Sequence, residues 1–233
     1  MGDKTSEEPG LRAVRVWDLP TRLFHWSLVA CVVASFISVK IGGNAMAWHL
    51  RCGYAVLALL AFRLLWGFVG GYWSRFASFL YSPATLLRYL RGQGRSDEHF
   101  DVGHTPLGSV SVFAMLLFLS AQVASGLFAD DEIATTGPLN KLVSSATGLW
   151  LTGYHKHIGQ WVLIALVLLH VAAVVTYRLR LNTDLIGPMF SGDKLLPSGV
   201  QASDDDNTTR GMAAVVLTAC AAILAYVLNL IDG

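Results

Sequence analysis

Charge is what this 233-residue chain has least of: Asp, Glu, Lys and Arg make up 14% of it, against 54% hydrophobic residues. Soluble domains carry about 25% charged residues, and with a mean hydropathy of +0.51 the chain reads as an integral membrane protein. A basic excess is missing too: the net charge is +1, and the lack of any zinc-finger or helix-turn-helix pattern leaves no reason to expect a nucleic-acid partner. The three cysteines, Cys31, Cys52 and Cys220, form no C-x-x-C pair and no C-x-x-C-H, which excludes covalent haem attachment. They sit in apolar runs and read as packing residues. The opening "MGDKTSEEPG" has no basic stretch leading into a short apolar one, so no cleavable signal peptide is expected.

What is present is five long apolar runs, at about 22–41, 48–70, 105–128, 150–178 and 211–230. Each can cross a hydrocarbon core of about 30 Å as a helix of about 20 residues. No strand alternation separates them, and a chain in lipid must satisfy its backbone internally, so the fold class is an all-α membrane bundle. The boundaries expected are a cytoplasmic segment 1–21, a four-helix domain 22–180, an acidic polar linker 181–210 containing "SDDDNTTR", and a fifth helix in 211–233. The linker composition reads as solvated and flexible.

Alternating sides along the chain places Lys4, Arg12, Arg15, Arg22, Arg75, Arg88, Arg91, Arg95, Arg178, Arg180, Lys194 and Arg210 together. The other side holds Lys40, Arg51, Lys141 and Lys156. The positive-inside rule makes the first side, with the N-terminus, cytoplasmic. Trp17, Trp26, Trp48, Trp66, Trp73 and Trp150 lie near span ends, where indoles anchor helices at the lipid interface.

Five of seven histidines fall in or at the spans: His25, His49, His155, His157 and His170. With alternating helix directions, His49 and His155 share the outer level. His170, about 22 Å further along its helix than His155, returns to the depth of His25. Ionisable groups in a membrane face a partner in the bundle, and two opposed imidazoles can fill both axial positions of a haem iron. Two pairs at two depths therefore point to two non-covalent haems b. Interhelical hydrogen bonding or a proton relay is the alternative.

Helical phase puts His155 about 60° from His170 and His157 about 140° away, so His155 is the better partner and His157 an interfacial residue. An internal echo agrees, since "WHLRCGYAVL" and "YHKHIGQWVL" align His49 with His155. The same echo aligns Gly53 with Gly159, each one turn after a histidine, where absence of a side chain suits either a macrocycle or helix packing. Arg63, near the depth of His25, suits a haem propionate or snorkels to the interface. His99 and His104 read as loop and helix-start residues. Asp130, Asp131 and Glu132 form an acidic outer turn, solvated or a docking patch for a basic redox protein.

The segments "VWDLPTRLFHW", "WHLRCGYAVLALLAFRLLWGFVG", "GHTPLG", "SGLFADDE" and "HKHIGQWVLIALVLLHVAAV" together resemble the bacterial cytochrome b561 group, which includes b-type cytochrome subunits of nickel-iron hydrogenases. The likeness runs from about Val16 to Pro188. It implies a four-helix membrane cytochrome with two haems b held by His25, His49, His155 and His170. Members usually space the two histidines of the fourth helix fourteen apart, whereas this chain offers fifteen or thirteen. The function expected is electron transfer in a respiratory chain between membrane quinone and an outer-face partner, a c-type cytochrome or hydrogenase-like enzyme. The alternative the resemblance also reaches is a superoxide oxidase that reduces quinone, with Arg51, Lys156 and His157 as an anion-steering funnel. The fifth helix lies outside these motifs.

Overall fold

A computed structural model describes residues 10–95, 98, 100–133 and 135–232; Lys4 and His99 lie outside them. Among the described residues, five helical spans are long and apolar enough to cross a membrane: Leu19–Ile41, Gly43–Val69, Pro106–Leu127, Ser145–Arg180 and Asn207–Leu230. The chain is a multi-pass, all-α membrane bundle with a two-stranded cap at one end.

Helix starts are written in the sequence. Asp18 caps α1 (Leu19–Ile41) by accepting from the Thr21 amide, and Pro20 occupies the first turn. Thr105 and Pro106 do the same for α4 (Pro106–Leu127), as do Ser82 and Pro83 for the short α3 (Pro83–Leu90). Such caps satisfy amides that have no partner within the helix. Between α1 and α2 (Met46–Val69) the chain turns through Gly42 and Gly43 at φ 70° and 53°, a left-handed conformation that glycine adopts without strain.

The fourth span is not one regular helix. α5 (Ser145–Gly153) runs into a π-helical turn, Tyr154–Gly159, before α6 (Gln160–Arg180) resumes the α ladder. α2 packs on α1, α4 and α8 (Asn207–Asp232), and α6 packs on α4. α8 seals one flank of the bundle: its Ala213 and Cys220 join Phe24, Phe62 and Trp66 in a buried cluster.

Residues expected to be a solvated linker are folded instead. After α7 (Ile186–Ser191), β2 (Asp193–Pro197) pairs antiparallel with β1 (Leu11–Arg15), Arg15 opposite Asp193 and Leu11 opposite Pro197. The Ser203 amide donates to the Arg15 carbonyl and its hydroxyl to that of Val16, both at 2.7 Å. Asp205 accepts from the Leu19 amide and pairs with Arg15 at 3.1 Å, Arg22 at 3.8 Å and Arg210 at 3.0 Å. The polar composition serves these long-range partners rather than solvent. Val14, Val16, Trp17, Val102 and Leu196 form the cap's own core.

Two tryptophans expected at the lipid interface are also inside the fold. Trp66 is fully buried and donates from Nε1 to the Asp18 carboxylate at 3.3 Å, while Trp17 lies in the cap core. Trp26, Trp48 and Trp150 remain exposed near span ends, as an interfacial anchor requires.

Candidate haem sites

The end of the bundle away from the strands brings together the histidines of α2 and the π-helical turn. His49 and His155 lie with ring centroids 6.0 Å apart and planes at 88°. Each has its Nδ1 against a main-chain carbonyl: His49 against Ser35 of α1 at 3.1 Å, and His155 against Gln122 of α4 at 2.9 Å. The Ser35 and Ser125 hydroxyls lie beside them at 2.9 and 3.2 Å. A carbonyl can only accept, so the proton sits on Nδ1 and the Nε2 lone pair is left for another partner. A carbonyl held behind the ring in this way orients a metal-ligating imidazole.

The π-helical turn answers the spacing question. An i to i+5 turn takes up one residue more than an α turn, so the fifteen steps from His155 to His170 act as fourteen along the α path. Gln122 stitches α4 to this widened turn by donating from Nε2 to the His155 carbonyl at 3.0 Å. His157 is exposed and stands outside the pair.

Gly53 and Gly159, equivalent in the sequence echo, differ here. A Cβ on Gly53 meets nothing within 4 Å, so the backbone borders open space; one on Gly159 would run into the Gln122 side chain. Gly159 is a packing glycine, and Gly53 is the one whose surroundings suit a flat macrocycle. A Cβ on Gly126 would come within 2.9 Å of the His155 ring, so this glycine makes room for the imidazole.

At the strand-bearing end, His25 of α1 and His170 of α6 lie within electrostatic reach of one another. The buried Nδ1 of His25 has no partner among the described residues. Arg63 does not snorkel: it is 3% exposed, its guanidinium stacks on Phe76 at 4.8 Å, and its Nη1 has no acceptor. A buried charge without its partner is costly, so this nitrogen fits an acidic group supplied from outside the chain.

His104, expected only to start a helix, is drawn inward between Trp17 and Phe79, with centroids at 4.8 and 4.3 Å. Its Nδ1 is buried without a partner. Burial first, then the charges of Arg63, Lys194 and His170, pushes it down to about 3, so the ring is neutral near pH 7. Only the motif "GHTP", a histidine just before a capped helix, marked this residue in the sequence. The acidic turn at Asp130, Asp131 and Glu132 is partly self-directed: Asp130 accepts from the Glu132 amide, and Asp131 from those of Ile133 and Thr135.

The donor set fits haem b: two imidazoles 6.0 Å apart, a glycine-bordered space and a buried guanidinium nitrogen without an acceptor. Comparison with known proteins agrees. Residues 16–192 match the family described as Prokaryotic cytochrome b561. A "Probable Ni/Fe-hydrogenase B-type cytochrome subunit" of Bradyrhizobium diazoefficiens is 24% identical over 218 residues, 79% of this chain and 87% of that one. A relative of the same description in Rhizobium leguminosarum is 25% identical over 228 residues, 83% of this chain and 92% of that one. A "Probable Ni/Fe-hydrogenase 1 B-type cytochrome subunit" of Escherichia coli is 20% identical over 211 residues, covering 76% and 88%. No solved structure matches significantly. With the match spanning most of its length, this chain belongs to the prokaryotic cytochrome b561 family and is a membrane b-type cytochrome of electron transfer.

Proposed function

We propose that the protein carries two haems b, one held by His49 and His155 and the other by His25 and His170, and conducts electrons across the bilayer between them. The observation that carries this reading is the His49–His155 pair, whose Nδ1 atoms are tied to carbonyls while the ring centroids lie 6.0 Å apart. Haem supplies one-electron chemistry; the chain supplies axial nitrogens, burial and partners for the propionates, the levers that set potential. Arg63 pairs with a propionate of the second haem. The strand-bearing end, with Arg12, Arg15, Arg22, Arg75, Arg88, Arg178, Arg180, Lys194 and Arg210, faces the cytoplasm by the positive-inside rule, as expected in a bacterial inner membrane. The His49–His155 haem is then the outer one.

The electron partners are membrane quinone and a redox enzyme at the outer face. The relatives' names support a hydrogenase-like enzyme as that partner, and a c-type cytochrome is the other candidate. Haem quantified as pyridine haemochrome on the purified protein, with a reduced-minus-oxidised spectrum, tests the core of the proposal. Two haems per chain with b-type bands are expected; one per chain removes a pair, and none defeats the reading.

A superoxide oxidase is the second reading. It is favoured by the exposure of Arg51, Lys156 and His157 around the His49–His155 end, where positive charge would steer an anion. Superoxide generated beside the purified protein separates the two: rapid haem reduction supports the oxidase, and none leaves the electron conductor.

A further inference from the structure

Two buried nitrogens on the approach to His170 have no acceptor among the described residues: Nη1 of Arg63, from α2, and Nδ1 of His104, from the turn before α4. The two groups lie within electrostatic reach of each other, and His104 within that of His170. Neither is a loose surface group. Phe76 stacks under the guanidinium, Trp17 and Phe79 flank the imidazole, and the Tyr81 hydroxyl fixes the His104 carbonyl at 2.9 Å.

The fold's own acid does not answer them. Asp18 is the carboxylate within electrostatic reach of Arg63, yet no ion pair joins them among the described residues. Its oxygens serve the Thr21 amide at 2.7 Å, the Gly71 amide at 3.1 Å and the Trp66 indole at 3.3 Å. A forked cation and a ring nitrogen able to carry an N–H, both buried and bridged by the Phe76–Phe79 ring contact at 5.9 Å, call for an anionic acceptor with several lone pairs. A carboxylate meets that requirement, and beside His170 the carboxylates of a haem are the candidates.

We propose that His104 acts with Arg63 as a two-donor clamp for the carboxylate of the haem held by His25 and His170, a positioning and potential-setting role that rests on the two-haem reading above. Arg63 supplies the charge and His104 a directed N–H, which a neutral ring retains across the physiological range. Donors on a propionate draw negative charge away from iron, so losing one favours the oxidised haem.

The test is redox titration of full-length protein in lipid nanodiscs, with the haem at His25 and His170 identified as the one a His49→Ala variant retains. His104→Leu should shift the reduction equilibrium of that haem toward oxidised by about tenfold, ~59 mV for one electron. The other haem should stay within about twofold, and the carboxylate stretch in the redox-induced infrared difference should move. His104→Gln, which keeps an N–H donor, should lie within about threefold of wild type. An unshifted potential and carboxylate band in His104→Leu overturn the clamp. If His104→Leu loses the haem outright, His104→Gln decides: retention near the wild-type potential supports the clamp, and loss overturns it in favour of ring packing. Two haems in wild type beside either negative result defeat the clamp alone, whereas wild type without haem at His25 and His170 defeats the two-haem reading as well.

Discussion

Lys156 lies in the π-helical turn Tyr154–Gly159, and its deletion tests whether that turn exists to keep His155 and His170 in register. Removing one residue from a regular helix rotates one side against the other by about 100° and slides it 1.5 Å. On a Cα cylinder of radius about 2.3 Å that moves a side-chain root by about 3.8 Å, well beyond a metal–imidazole bond of about 2.0–2.1 Å. Deletion of Leu163, in regular α6, should therefore cost at least one haem. Deletion of Lys156 should not, because the widened turn can close to an α turn and leave α5 and α6 where they are, with the two histidines then fourteen residues apart. Making the Lys156 deletion together with His157→Ala removes rescue by the neighbouring ring. Pyridine haemochrome stoichiometry reads both variants. Loss of the outer haem on deleting Lys156, or two haems surviving deletion of Leu163, would refute the register argument.

Further outcomes follow from the pairing and from the cap. His49→Ala and His155→Ala should each remove one and the same haem, and His25→Ala and His170→Ala the other, as seen by spectra and stoichiometry; cross-paired losses would break the assignment. His157→Ala should leave both. Asp205→Asn should lower stability by about 2 kcal/mol, between the values for exposed and buried pairs, measured as a lower thermal midpoint in detergent. Burial pushes the Asp205 carboxyl up, but Arg210, the Leu19 amide and Arg15 outweigh it and hold it below its ordinary value. Its contribution is thus complete above the ordinary carboxylate value near 3.9 and fades as pH falls through the lower folded one. Wild type and Asp205→Asn should differ at pH 7, and the gap should begin to close only below about pH 4.

The five spans were legible because hydropathy and length decide what crosses lipid, and depth along them located the histidine levels without any contact being known. Phase favoured His155 because fifteen α steps to His170 end about 60° off a common face and thirteen from His157 about 140°; the structure sets the His155 ring 6.0 Å from that of His49 and leaves His157 exposed. The π-helical turn itself left no mark in composition. Ser35 and Gln122 hold the two Nδ1 atoms through main-chain carbonyls, which every residue has, so no pattern could single out that role. Trp66 was misread because a span end looks the same whether an indole meets lipid or a buried Asp18. The 181–210 segment was misread because its acids resemble a solvated run until Arg15, Arg22 and Arg210 are brought beside Asp205.

The pairing of β1 with β2 joins residues nearly the whole chain apart. Loop closure on that scale comes late, and during synthesis β1 emerges first and waits for β2 to be made. The spans can enter the bilayer one by one, but the cap that buries Trp17 and helps to enclose His104 closes only when nearly all of the polypeptide exists. A product truncated before β2 would keep its first four spans in the membrane and leave β1 unpaired, a difference that quality-control proteases at the membrane surface can read.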